Sequence, residues 1–246
     1  MDNATTDMTE AMQRIETFCG SSVALALRDW LSKAQMWRNS AAFLHSVAVA
    51  ADKDALLDHL ATLRYSLIFR SLGLLPSFEP TGVSGPDLLI TRDGISATVE
   101  VTRFRPVNPG PPTLSRDEYI RGEWHLEPYG NPQRDIQKCI RKVRDKFRQT
   151  VAPHAIIAVW NDDDALEELE MRSALRDLRQ DPRIPKSLEF VVYGSSWIGH
   201  SQLYSFPMKS HLHASIQEWA QEIQSVSVGD AINSVLRMDE HFGTDG

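Results

Sequence analysis

The sequence predicts a mixed α/β fold, a central sheet flanked by helices, and three observations predict it. Apolar residues recur at helical spacing through residues 8–72. Apolar runs of strand length lie within 87–102, 155–160 and 188–193. The two kinds of segment then alternate along the chain, which builds a sheet with helices on its faces.

In chain order, Met12, Ile15 and Phe18, then Val23, Leu27, Trp30 and Leu31, fall at helical spacing. Asn39-Ser40 marks a break and cap before a helix over 41–50. Residues 1–50 thus form an N-terminal helical extension, read as an appendage or as an element through which a homodimer would form, ahead of an α/β domain over 51–246. A helix from about Asp54 to Leu72 carries Leu56, Leu60, Leu63, Leu67, Ile68 and Leu72 on one stripe and stops at Gly73. Pro76 to Pro86 reads as a loop in which Gly82 and Gly85 permit unusual backbone angles. A hairpin over 87–102 follows.

Residues 105–132 are rich in Pro and Gly, carry Tyr119, Trp124, His125 and Tyr129, and show no steady period, which suits a functional loop or lid. A helix begins at Asn131-Pro132 with Ile136, Ile140, Val143 and Phe147 on its buried face. Ala155–Trp160 and Leu188–Tyr193 read as strands around a helix at Ala165–Gln180. Leu203–Phe206 adds a short edge strand and His213–Gln224 a closing helix.

A hydrophobic content of 42% with 24% charged residues suits a chain that buries a core rather than a disordered one. Cys19 and Cys139 make neither a disulfide framework nor a zinc site, so a reducing cytoplasm is the expected setting. No run reaches the roughly 18 apolar residues of a membrane span, and the acidic start lacks the basic region of a signal peptide. A net charge of −7 excludes wholesale coating of nucleic acid. The charge is uneven, however: residues 133–149 hold seven cations against Asp135 and Asp145, a local net of +5.

The most informative feature is a pair of carboxylates on the hairpin. Asp93-Gly94 suits the two positive φ angles of a type I′ turn. With those two as the loop, Arg92 faces Ile95 and Asp87 falls directly opposite Glu100. Opposed residues share a sheet face with Cβ atoms roughly 4.5–5.5 Å apart, where like charges repel. A divalent cation relieves that repulsion. The alternative is a solvated hairpin face with a turn-entry aspartate, but Val99, Val101 and the apolar run Leu88–Ile90 read as central strands, where carboxylates need a partner.

Pro86-Asp87 and Glu100-Val101-Thr102, after a helix and a Gly-rich loop, resemble the PD-(D/E)XK nuclease superfamily over roughly residues 54–195. The resemblance implies a restriction-endonuclease-like fold, with Asp87, Glu100 and the carbonyl of Val101 holding Mg²⁺ (or Mn²⁺). It implies a nucleic acid substrate, DNA in preference to RNA. The family's lysine position is occupied by Thr102, whose hydroxyl can hydrogen-bond water or phosphate but brings no charge. A cation must then come from another element.

On a helical wheel of 133–149, Gln133, Gln137, Arg141, Arg144 and Arg148 border the apolar face, while Lys138 and Lys142 lie farther out. Gln137 and Arg141 are therefore the preferred catalytic helpers, and Lys138, Lys142, Arg144 and Arg148 the expected nucleic-acid contacts. Arg103 and Arg105 are alternative cations, Arg103 the poorer because it alternates away from Glu100. For a third carboxylate the chain offers Asp54, Asp58 or, in place of a helical residue, Glu79.

Other motifs read more blandly. Asn161-Asp162-Asp163-Asp164 follows a strand and precedes a helix, where such residues cap orphan amides. Gly194-Ser195-Ser196-Trp197-Ile198-Gly199 lacks the Gly-x-Ser-x-Gly spacing of a nucleophile elbow, and His211 with His213 lack a third metal ligand. The sequence thus leads to a magnesium-dependent nuclease, or to a protein that keeps the fold for binding or regulation without catalysis.

Overall fold

The Asp93-Gly94 turn forms as its chemistry requires. Asp93 has φ 53° and Gly94 φ 76°, and the ladder runs from Arg92 opposite Ile95 to Leu88 opposite Val99. In the computed structural model the described residues are 2–79, 85–104, 132–151, 153–161, 168–195 and 203–238. The 105–131 segment with Arg105, and Asp162 to Asp164 and Ser196 to Gly199 of the motifs above, lie outside them.

Among the described residues eight helices accompany a six-stranded mixed sheet. The helices are α1 (Asp2–Cys19), α2 (Ser21–Ala34), α3 (Ser40–Ala48), α4 (Lys53–Ser71), α5 (Pro132–Lys146), α6 (Glu168–Leu178), α7 (Ala214–Ser225) and α8 (Val228–Arg237). The strands are β1 (Leu75–Phe78), β2 (Leu88–Arg92), β3 (Ile95–Phe104), β4 (Ala155–Asn161), β5 (Leu188–Ser195) and β6 (Leu203–Pro207). Their order in the sheet follows the chain; β1, β2 and β3 are antiparallel, β4 and β5 parallel, and β6 antiparallel to β5. The chain divides into two compact units, 1–101 with 226–246, and 102–225.

In the first unit α4 is buried on almost every side, from Leu56 to Phe69, as befits a helix surrounded by other elements. Asp52 caps it by accepting from the Ala55 amide at 2.8 Å. Residues 1–50 belong to this unit and supply Ala11, Ile15, Leu27, Leu31, Phe43 and Leu44 to its interior. Val23, expected on the apolar stripe of its helix, is instead 38% exposed.

Residues 75–78 form a strand rather than the start of a loop, and their partner β2 reaches only one of their edges. On the other edge the Phe78 amide donates to the Arg38 carbonyl at 3.1 Å. Asn39 does break the helices, with φ 62°, but makes no side-chain cap. Its amide nitrogen donates instead to the Phe78 carbonyl at 2.9 Å, because the left-handed backbone turns it toward β1.

In the second unit α5 and α6 cover one sheet face. Phe104, Cys139, Ile140, Val143, Phe147, Ile157, Val159, Met171, Val191 and Tyr193 form a continuous core there. Burial pushes the Cys139 thiol up to about 12, so it packs as an inert apolar group against Met171. Gly194 is required by packing on the opposite face. A Cβ there would lie 2.7 Å from the Trp160 ring and 3.0 Å from Leu203. Gly194→Ala is therefore expected to lower unfolding free energy by about 1–3 kcal/mol in urea titrations, the usual cost of overpacking.

Candidate functional site

The register that the turn sets carries Asp87 to the start of β2. Its carboxylate Oδ2 accepts from the Val101 amide at 2.7 Å, where the ladder passes beyond Leu88 and Val99. A hydrogen bond to an ionised group contributes about 1.5–3 kcal/mol, so Asp87 orders the hairpin as well as carrying charge. Glu100, next along β3, is 1% exposed, which removes the solvated-face alternative for that carboxylate. Thr102 is half-buried two residues farther, on Glu100's face of the strand.

On the other side of Asp87 stands Glu79. Its amide donates to the Asp87 carbonyl at 2.9 Å, continuing the β1–β2 pairing by one residue. Glu79 has φ 37°, a conformation that costs a non-glycine residue about 1–3 kcal/mol and concentrates at functional sites. Of the three acids considered for a third carboxylate, Glu79 is therefore the one whose backbone adjoins Asp87. Of the two helical candidates, Asp54 and Asp58 are both exposed.

The residue that α4 does contribute is His59, absent from the expectations above. Burial lowers its pKa, and the carboxylates of Glu79, Asp58 and Asp87 oppose that shift without overcoming it. Its ring meets Phe43 edge-on at 6.3 Å between centroids. His59 falls three residues after Leu56 and four before Leu63, so an ionisable residue on the apolar stripe was the available signal.

A depressed histidine pKa favours the neutral form in the fold. The stability it contributes is complete above the unfolded value of about 6.5 and is lost as pH falls through the lower folded value. Urea unfolding between pH 7.5 and 5.5 should therefore weaken the protein on acidification, and His59→Gln should flatten that dependence. Asp181, whose carboxyl is held low chiefly by Arg183, acts only at more acidic pH.

The basic helix differs from the wheel. Gln137 and Arg141 are exposed, Arg141 Nε donating to the Gln137 carbonyl at 3.4 Å, whereas Lys138 and Lys142 are half-buried. Asp135 and Cys139 lie on the buried face, at 2% and 0% exposed. Their burial widens that face toward Lys138 and Lys142 and away from Gln137 and Arg141. Lys138 Nζ sits 5.8 Å from the centre of the Phe104 ring. Phe104 is on the same face of β3 as Glu100 and Thr102, by strand alternation.

Arg144 is paired with Asp181 at 2.8 Å, while Arg148 is exposed. Arg103 is 4% exposed. His213 lies beside His154, 5.3 Å between ring centroids, and His154 donates to the buried Glu189 at 2.8 Å. Among the described residues no three His, Cys, Asp or Glu side chains are gathered to hold a metal ion, and no helix is long and apolar enough to cross a membrane.

Asp87, Glu100 and the Val101 carbonyl offer oxygen donors alone, the ligand chemistry that suits Mg²⁺. That ion uses one or two carboxylates and completes its shell with water and substrate. No protein-family model, curated protein sequence or solved structure matches this chain.

Proposed function

We propose that this protein is a metal-dependent nuclease of the PD-(D/E)XK type, hydrolysing nucleic acid phosphodiester bonds, with DNA preferred over RNA. The observation that supports it most is the hairpin register, with Asp87 on the Val101 amide and Glu100 buried beside it. Asp87, Glu100 and the Val101 carbonyl would hold the ion. When bound, Mg²⁺ or Mn²⁺ supplies polarisation of the phosphate and a lowered pKa for an attacking water.

The chain's own residues supply orientation and charge. The Val101 amide fixes the Asp87 carboxylate, and the burial of Glu100 keeps it out of bulk water. Thr102 offers a hydroxyl to water or phosphate. The charge that the motif lysine gives in the family would come from Arg141 or Lys138 of the basic helix.

A second reading, a non-catalytic protein of the same fold, is favoured by Thr102 and by the structural use of the Asp87 carboxylate. Incubation with single- and double-stranded DNA and RNA, with Mg²⁺, Mn²⁺ or chelator, separates the two. Metal-dependent cleavage that disappears in Glu100→Ala supports the nuclease. Its absence on every substrate supports the second reading.

A further inference from the structure

We propose that Arg144 and Arg183, clamped by Asp181, form with Arg148 and Lys186 a phosphate-tracking surface for duplex DNA on the second unit. Asp181, its side chain 6% exposed, follows α6 and binds two guanidinium groups at once. Arg144 Nε donates to Oδ2 at 2.8 Å. Arg183 Nε donates to Oδ1 at 2.9 Å and Nη2 to Oδ2 at 2.8 Å, and its backbone amide also donates to Oδ1 at 2.9 Å.

A single carboxylate therefore fixes two arginines and leaves the group one positive charge. The Arg183 side chain is 63% exposed and that of Arg144 33%, so both are reachable from solvent. A guanidinium carries five N–H donors in a planar fork suited to phosphate, and most of them remain available on each arginine. Holding the forks in place beforehand lowers the ordering cost of binding.

The neighbouring sequence carries the same sign. Arg148 on the turn after α5 is exposed, as are Arg179 and Lys186 on the turn after α6. The two turns meet where Ser187 Oγ donates to Thr150 Oγ1 at 3.5 Å. Residues 133–149 carry +5, and residues 179–186 hold three cations against Asp181, in a chain of net −7. Such a local basic surface on an acidic protein suits a polyanion bound by its backbone. It does not depend on the carboxylate hairpin.

Binding of a fluorescent 20-base-pair duplex is measured by anisotropy in chelator across a salt series, with thermal melts confirming that each variant folds. Arg183→Gln, at an exposed position, should weaken binding and reduce the slope of log affinity against log salt by about 0.9, one phosphate contact. Lys186→Gln should act likewise. Asp181→Asn adds net positive charge yet frees both arginines, so the clamp predicts weaker binding where charge alone predicts tighter.

Wild-type affinity in Arg183→Gln, or tighter binding by Asp181→Asn, would overturn the proposal. So would equal binding of a polyglutamate of matched charge, which would make the partner an acidic protein. Because chelator prevents metal-dependent cleavage, failure here leaves the nuclease reading standing, and the reverse also holds.

Discussion

Glu100→Gln is expected to abolish metal-dependent cleavage while leaving the protein folded. The substitution keeps the volume of a side chain that is 1% exposed and removes its charge. Loss of a partner that merely orients a metal ligand costs about 10–100-fold, so loss of a ligand should reduce kcat/KM by at least about 100-fold. Thermal melting beside the activity assay separates lost chemistry from lost structure. Asp87 gives a complementary pair of variants. Asp87→Asn retains an oxygen for the Val101 amide and should lose activity with about 1 kcal/mol of stability, whereas Asp87→Ala should lose both, by about 1.5–3 kcal/mol in stability. Equal destabilisation by the two would mean that the charge, not the hydrogen bond, orders the strand.

Phe78→Ala should be among the most damaging single changes to the fold. Phe78 is fully buried and stacks on Phe43 at 4.1 Å between centroids and on Trp37 at 5.9 Å. Both of its backbone polar groups are also used, toward Arg38 and Asn39. Truncating a buried phenylalanine costs about 3–5 kcal/mol, a large share of the stability of an ordinary domain. Because Glu79 follows directly and pairs with Asp87, the variant should also weaken activity at temperatures where it remains folded. Urea titration followed by tryptophan fluorescence reads the first effect. Phe78→Leu, which restores most of the apolar volume, should recover much of the stability.

The hairpin was legible because two independent local signals agreed. Asp93-Gly94 demands positive φ at both positions, and alternation around Val99 and Val101 sets the faces; together they leave one register, the one found. Strand β1 was not legible, since Leu75-Pro76-Ser77-Phe78 is short and contains a proline that argues against a central strand. Its place at the end of the sheet order makes the proline tolerable. Helix α8 was missed despite a clear period: Val228, Ala231, Ile232 and Val235 are its buried residues, and Ser227 caps it by accepting from the Asp230 amide.

Local rules gave the hairpin carboxylates, whereas on the basic helix tertiary packing decided which cations are covered. The burial of Asp135 cannot be read from its polarity, and a wheel drawn through Ile136, Ile140, Val143 and Phe147 leaves Lys138 outside the apolar face. Glu79 was found as an isolated acid near a Gly-rich loop, but its position opposite Asp87 required knowing that β1 exists. His59 was passed over among leucines. The Arg144–Asp181–Arg183 arrangement joins residues 37 positions apart and lay beyond any local pattern.

Calorimetric titration with Mn²⁺ tests most directly whether the Asp87–Glu100 hairpin holds the divalent cation proposed for it. Saturable uptake at one site by the wild-type protein, lost in Glu100→Gln and in Asp87→Asn and unchanged in Arg183→Gln, is the predicted result. No uptake by the wild type, or uptake that survives Glu100→Gln, would contradict it.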